Sequence, residues 1–407
     1  MKILIISQYF EPETMARGLT LATGLVKHGH TVFVLTGFPN YPKGELYPGY
    51  RQKLFFKEVM NGVTVYRVPT FISHDSNSFR RAANYLSFMF SAFILGLIRI
   101  PKFDVAYVYH PPITTCLSAS MLCLFRRKPF ICDIQDIWPD SVGATGMLDS
   151  PKLIGVLDKM CDFVYKRASH IVTISNGMKE KIVSRGVGSE KVSVVPNWCD
   201  EDNILNPETL DLVFEERLST VLSGKFNIIF AGNIGEAQNL DAVVDAGKIA
   251  YTESPNIQFV FVGGGTKVEM LQNRCVKSGY NFVSFLPQIP TSQIGGVMKR
   301  ADVLLVHLRS DPLFEITIPS KTQAYMAVGK PILMAVPGDA NKIITEAQCG
   351  LGAASDDPQS IARACIEFST MNKSDLSAMG RKARAAYVSD FSMSAGVERF
   401  HGLLTHA

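Results

Sequence analysis

The 407-residue sequence predicts an α/β protein of two doubly wound, Rossmann-like domains facing a central cleft. Three observations predict it. Short β-branched runs alternate with longer stretches of helical periodicity along the whole chain. The strand-like runs are apolar throughout rather than alternating, as in parallel sheets covered on both faces. The series breaks once, in polar sequence near 197–225, and then starts again. With 47% hydrophobic and 19% charged residues, the chain has enough apolar surface for two cores, which excludes global disorder.

The first series places strands at 2–7, 31–36, 63–68, 105–109, 130–133, 171–174 and 192–195. The second places them at 227–230, 259–262, 283–285, 303–306 and 332–335. Domains are expected over 1–199 and 200–385, with a C-terminal helix over 386–407 that packs back on the first domain. In open α/β sheets ligands bind beyond the carboxyl ends of the strands, so the chemistry is expected there.

Charge is uneven. Residues 1–198 hold 23 Lys and Arg against 14 Asp and Glu, while the remainder holds 18 against 23. Residues 51–128 concentrate the excess, with 11 basic and 3 acidic side chains. Inside that segment, residues 85–98 are apolar nearly all round, and 113–125 form a second apolar run. Arg80, Arg81, Arg99, Arg126, Arg127 and Lys128 border the two runs, and Phe88 and Phe93 lie within the first. Fourteen helical residues span about 21 Å, short of a hydrocarbon core of roughly 30 Å. The expectation is shallow insertion into one anionic leaflet, against the alternative of two buried core helices. The amino terminus has too short an apolar stretch for a signal peptide and no cleavage site, which points to the cytoplasm, at the inner face of the cytoplasmic membrane. Nucleic acid is not an expected partner, because the basic residues interleave with apolar runs rather than with aromatics in a polar groove.

The eight cysteines are scattered without a C-x-x-C pair, and the histidines form no H-x-x-x-H, so neither structural zinc nor a disulfide framework is expected. After the first strand a dinucleotide-binding fold would carry G-x-G-x-x-G, and it is absent. Arg17 and Gly18 lie there instead, near a helix start where an anion could meet backbone N–H groups. In the second domain Gly232-Asn233-Ile234-Gly235 and Gly263-Gly264-Gly265 each follow a strand, and glycine there lets a ligand approach the backbone. The richest segment runs from Glu315 through Ile318-Pro319-Ser320-Lys321 to Gln323 and on to Gly329 and Pro331. It reads as a loop entering a helix whose first amides and Lys321 would meet a diphosphate, with Glu315 beside whatever the diphosphate carries. In the first domain His110 ends a strand, and Asp133 and Asp136 follow another.

Together these residues resemble the retaining family-4 glycosyltransferases of the GT-B fold. The resemblance rests on Gly29-His30-Thr31-Val32, Tyr107-Val108-Tyr109-His110-Pro111, Val195-Pro196-Asn197, Phe230-Ala231-Gly232-Asn233, Ala301-Asp302-Val303, and Glu315 eight residues before Gln323. The stretches 36–44, 133–139 and 318–321 are similar to the branch that builds bacterial surface polysaccharides such as O-antigen, lipopolysaccharide and capsule, including N-acetyl-L-fucosaminyltransferases.

The resemblance implies metal-independent transfer with retention, no cofactor, a UDP-sugar donor and a polyprenyl-diphosphate-linked saccharide acceptor. It assigns acceptor binding to the first domain, with Tyr41 and Asp136, and the donor to the second. His110 and Glu315 take the catalytic positions. Arg17, Gly18, Gly232, Asn233, Gly264, Ile318, Pro319, Ser320, Lys321 and Gln323 take the donor, and N-acetyl-L-fucosamine is the sugar implied. Gln323 stands at the position of a second carboxylate, and two departures stand out: Asn233 and Gln238 occupy positions where many members carry Arg and Lys, and the usual Gly-Gly pair after the first strand is missing. Two alternatives stand beside this reading: a GT-B nucleotide-sugar epimerase or hydrolase that needs no acceptor, and a UDP-sugar-binding protein that lost turnover along with Asn233 and Gln238.

Overall fold

Mostly apolar segments of three to seven residues form two separate sheets in a computed structural model that describes residues 1–13, 15–73, 78–144 and 150–407. The chain divides into two units, Met1–Asn197 with Met393–Ala407, and Trp198–Ser392.

The N-terminal unit has eight strands among the described residues: β1 (Lys2–Ile6), β2 (Thr31–Gly37), β3 (Phe56–Met60), β4 (Val63–Val68), β5 (Val105–His110), β6 (Phe130–Ile134), β7 (His170–Thr173) and β8 (Val192–Val194). Their order is β3-β4-β2-β1-β5-β6-β7-β8. β1 pairs in parallel with β2 (Ile3 opposite Val32) and with β5 (Ile3 opposite Val105), so the strand order reverses between β1 and β5. β3 was not expected. It is a polar edge strand, antiparallel to β4 through the Asn61-Gly62 turn, and its alternating exposure lacks the apolar run that marks the others.

The C-terminal unit has six strands among the described residues: β9 (Phe226–Ala231), β10 (Ile257–Val262), β11 (Val283–Leu286), β12 (Val303–His307), β13 (Ile332–Ala335) and β14 (Gly350–Gly352). They run parallel in the order β11-β10-β9-β12-β13-β14, with the reversal between β9 and β12. β14 also escaped the sequence reading, because three residues with two glycines carry no apolar signal. The C-terminal helix starts at Met393, later than 386. A helix over Lys373–Ala386 and a turn at Tyr387–Phe391 still belong to the second unit.

The N-terminal unit is tied at its centre by a buried charge cluster. Arg17, wholly buried, pairs with Asp133 Oδ1 at 2.6 Å and donates to the Val195 carbonyl. Its guanidinium lies 4.8 Å from the centroid of Phe400, on the C-terminal helix Met393–Thr405. Asp133 also accepts from the Tyr107 hydroxyl and, at 2.9 Å, from Gln135 Nε2. Arg17 is therefore an internal tie between the segment after β1, β6 itself, the segment after β8 and the C-terminal helix, rather than a free cation for the donor. Gly18 is likewise spoken for: the Glu11 carboxylate sits where a Gly18 side chain would go and accepts from Leu19 N at 2.7 Å. The start of helix Leu19–Lys27 holds its own anion.

Helix Ser78–Arg99 has 22 residues, about 33 Å at 1.5 Å per residue, so the 14-residue apolar run understates it. Its stretch Phe79–Arg99 is long and apolar enough, by length and composition, to cross a membrane. Yet one face is docked on the N-terminal unit. Asn84, Phe88, Ala92 and Gly96, spaced by four, form the inner stripe. Asn84 Oδ1 accepts from Gln8 Nε2 at 2.6 Å, and Ser91 donates to the Pro69 carbonyl at 2.7 Å. A second stripe of Leu86, Phe90, Ile94 and Ile98 is exposed, as is Phe79. This corrects three membrane assignments. Phe88 is core, Phe93 is half-buried against Phe125, and Arg126 caps the helix by donating to the Leu97 carbonyl at 2.7 Å and the Ile100 carbonyl at 3.1 Å. Arg80, Arg99 and Arg127 are exposed, and Arg81 and Lys128 half-buried. Helix Ile113–Arg126 is mostly buried and shows only Met121, Leu124 and Phe125 near its end.

Breaking a buried ion pair from one side leaves a desolvated charge behind. Asp133→Ala is expected to cost about 3–5 kcal/mol, whereas Lys181→Ala, which removes the exposed pair with Asp140, costs under about 1 kcal/mol. Denaturant unfolding of the two variants checks this; equal losses would show that the buried pair is not the tie.

Candidate active site

In the C-terminal unit, β9 and β12 flank the reversal of strand order, and the loops beyond both converge on one side chain. Helix Ser320–Val328 follows β12 and is fixed by Tyr325, whose buried hydroxyl accepts from Ala231 N at 3.0 Å, at the end of β9. Four residues earlier on the same helix face, Lys321 reaches back over β9. Its Nζ lies 4.7 Å from the Phe230 ring centroid, and its Cε would stand 2.7 Å from a Cβ built on Gly232. Gly232 (φ +137°) therefore makes room for the lysine, and Gly263 (φ +151°) presses against the Gly232 carbonyl, where a Cβ would fall 2.0 Å away. Two glycine turns are close-packed at adjacent strand ends, with the Lys321 ammonium lying over the first of them.

Lys321 has no hydrogen bond or acidic partner among the described residues, and burial pushes its ammonium down to about 8. The helix start beside it carries no side-chain cap and no acidic residue in its first turn. Pro319 stands at the cap position itself, one residue before the helix rather than within it. The Ser320 and Lys321 amides and the Lys321 ammonium, without partners among the described residues, form an arrangement that can meet an anion. Ile318 is buried beneath it and Ser320 is exposed.

Glu315 ends the short helix Pro312–Glu315 ahead of this site. Its side chain is exposed and its carbonyl is packed against Gly338, where a Cβ would fall 1.9 Å away. Gln323 does not face the site as expected. It is buried, and with its nitrogen turned toward the nearby acceptors it donates to the Pro319 (2.9 Å) and Ser320 (3.1 Å) carbonyls, bracing the start of the helix that carries Lys321. Asn233 and Gln238 also serve the loop: Gln238 Oε1 accepts from Asn233 Nδ2 and from Gly235 N, both at 3.1 Å. Gly264 lies half-buried at the second glycine turn, its carbonyl accepting from Ile234 N at 2.8 Å.

In the N-terminal unit His110 ends β5, next to the reversal between β1 and β5. It is wholly buried, burial pushes its imidazole down to about 3, and neither ring nitrogen has a hydrogen-bond partner. Its carbonyl accepts from Gln135 N at 2.9 Å. The Trp138 ring meets it edge-on, centroids 5.8 Å apart. Asp136 is half-buried and raised by burial, against hydrogen bonds from Ser141, the Ile137 amide and the Trp138 side chain. Tyr41 is exposed and lies 5.3 Å from Tyr9, ring to ring. Sequence reasoning missed Tyr9, Tyr85 and Trp138. They come from separate segments with no shared motif, and only the fold puts them together.

Known proteins show the same division. Residues 16–198 match the glycosyl transferase 4-like domain, and residues 215–386 match the glycosyl transferases group 1 family. The chain is 26% identical over 340 residues to the "Putative colanic acid biosynthesis glycosyl transferase WcaI" of Escherichia coli (strain K12), covering 81% of this chain and 82% of that one. It is 23% identical over 331 residues to the "Probable glycosyltransferase WbjE" of Pseudomonas aeruginosa, covering 80% and 81%. Its fold is similar to that of Anabaena Alr3699/HepE, solved in complex with UDP, with a TM-score of 0.70 at 15% identity over the full length of both chains. Two Rossmann-like domains that match these two families along most of the chain make it a GT-B glycosyltransferase of the group 1 family, similar to family 4.

Proposed function

We propose that the chain transfers a sugar, with retention and without a metal, from a UDP-sugar to a polyprenyl-diphosphate-linked saccharide at the inner face of the cytoplasmic membrane, in surface-polysaccharide synthesis. One observation carries the donor half of this reading: Lys321 is an unpaired cation at an uncapped helix start over a glycine turn. Charge grows on the diphosphate as the glycosidic bond breaks, and fixed amides with a desolvated ammonium stabilise it most at that moment. Lys321 and the Ser320 amide would do this without an added cation, and they compensate for the neutral Asn233 and Gln238. A relative named for colanic acid biosynthesis and a neighbour solved with UDP support the polysaccharide and nucleotide parts. N-acetyl-L-fucosamine is the first donor sugar to test, with Glu315 reaching the donor sugar.

His110 is proposed to act through its neutral ring, as a hydrogen-bonding group to the reacting sugar. An imidazole that stays neutral down to about 3 cannot serve as a charged acid at physiological pH. Asp136 and Tyr41 are proposed for the acceptor. Membrane contact rests on the exposed stripe of Leu86, Phe90, Ile94 and Ile98, flanked by Arg80, Arg99 and Arg127. The opposite face is bonded to the protein, so the helix lies in the interface rather than across it.

UDP release from a UDP-sugar panel that includes UDP-N-acetyl-L-fucosamine, with and without solubilised lipid-linked acceptor, tests the activity. Release is expected only with acceptor; equal release without it would mean hydrolysis instead. Lys321→Met should lower kcat/KM for the donor about 10²–10³-fold while leaving thermal stability intact. The lysine is charged below about 8 and neutral above it, so donor kcat/KM should fall as pH rises through that value. Lys321→Arg, which stays charged, should remove the fall, and a fall that persists in it would assign the titration elsewhere. For the membrane, Phe90→Asp with Ile94→Asp should release the protein from anionic liposomes in a sedimentation assay without unfolding it. Undiminished binding would place the contact on another surface.

A further inference from the structure

Four aromatic side chains group beside His110, which Trp138 touches, and three of them, Tyr9, Tyr85 and Trp138, have no assigned role. Tyr9 follows β1, Tyr41 follows β2, Tyr85 is carried by helix Ser78–Arg99, and Trp138 follows β6, all in the N-terminal unit. Tyr9 and Tyr41 have ring centroids 5.3 Å apart with planes at 48°. Tyr85 meets Trp138 edge-on at 6.3 Å, and Trp138 meets His110 at 5.8 Å. Tyr85 and Tyr41 are both near enough to Tyr9 to add to the rise that burial gives its phenol, which joins the two pairs into one group.

A core cluster would be sealed and its hydroxyls bonded. Here Tyr41 is 38% exposed, Tyr9 and Tyr85 are half-buried, and the Tyr9 and Tyr85 hydroxyls have no hydrogen-bond partner among the described residues. Beside Trp138, itself buried, lies a wholly buried histidine whose two ring nitrogens have no partner among the described residues, a state that native interiors rarely leave without a ligand or water. Aromatic rings supply apolar faces and, as tyrosine, a polar tip. Together with the Asp136 carboxylate beside Trp138, they match an object with C–H faces and hydroxyl edges. A nucleobase would want one flat open ring, whereas these pairs are tilted. A polyprenyl chain would leave the hydroxyls and Asp136 unused.

We propose that Tyr9, Tyr41, Tyr85 and Trp138 form the subsite that takes a pyranose ring of the acceptor saccharide, its C–H face against the rings and its hydroxyls on the tyrosine oxygens and Asp136. This rests on the reading that the N-terminal unit binds the acceptor. Because Tyr85 belongs to the helix with the exposed apolar stripe, the element that meets the membrane also carries one wall of the sugar subsite.

The test uses the full chain in a Trp198→Phe background, where the emission is that of Trp138. The probes are methyl glycosides of glucose, galactose and N-acetylglucosamine, which have no alkyl tail to bind the apolar stripe. At least one should shift the Trp138 emission saturably. Tyr85→Ala should weaken that binding about tenfold. Tyr9→Phe and Tyr85→Phe keep the rings, cover a failure of the alanine variant to fold, and should weaken it by about threefold through the lost hydroxyls. UDP affinity, measured by calorimetry on the same variants, should not change. No response to any glycoside, or variants that bind like the parent, would overturn the subsite. A chain that binds glycosides but not UDP would keep the subsite and overturn the donor reading instead.

Discussion

Parallel pairing is the constraint from which the rest follows. In each sheet the strands around the reversal of order point the same way, so their carboxyl ends and the loops beyond them crowd onto one edge. The strands are mostly apolar, and polar residues collect toward their carboxyl ends, Tyr107 and Asp133 still within β5 and β6. The two units resolve this crowding differently. In the N-terminal unit Arg17, Asp133, Tyr107 and Gln135 satisfy one another and lock the core. In the C-terminal unit Tyr325 and the glycine turns fix the backbone, and Lys321 is left with no counter-charge among the described residues.

That difference separates structure from function in residues of one chemical type. Arg17 and Lys321 are both basic, both near a helix start and both at the reversal of their sheet. Arg17 has a carboxylate at 2.6 Å and an aromatic ring beneath it, so any added anion would compete with Asp133. Lys321 has only the ring. A buried cation held over Phe230 without a carboxylate is costly unless a ligand supplies the charge, which is why such a position marks a binding site.

Much of this was legible in the sequence. Twelve of the strands announce themselves as apolar runs, and Pro319-Ser320-Lys321 announces a helix start because proline fixes its backbone there. What escaped was what depends on partners distant in sequence. Nothing near Arg17 tells that Asp133, more than a hundred residues on, neutralises it, or that Glu11 occupies the anion position at Gly18. Residues 85–98 read as apolar all round, so Phe88 and Phe90 look alike until packing assigns one to the core and the other to solvent. Gln323 matches a family position, yet its amide turns inward to hold the loop. The aromatic group that meets His110 through Trp138 draws on four segments, and no local pattern could have gathered it.

The claim at the centre is that Lys321 is a desolvated cation whose charge the donor's diphosphate restores. Calorimetry of UDP binding at pH 8 in buffers of different ionisation enthalpy measures it directly, with Lys321→Met subtracting the nucleotide's own protons. With an ammonium poised at about 8, close to half a proton should be taken up per UDP bound, and that uptake should vanish in the variant. Equal proton uptake by both proteins, or tight UDP binding that survives the loss of the lysine, would contradict the account.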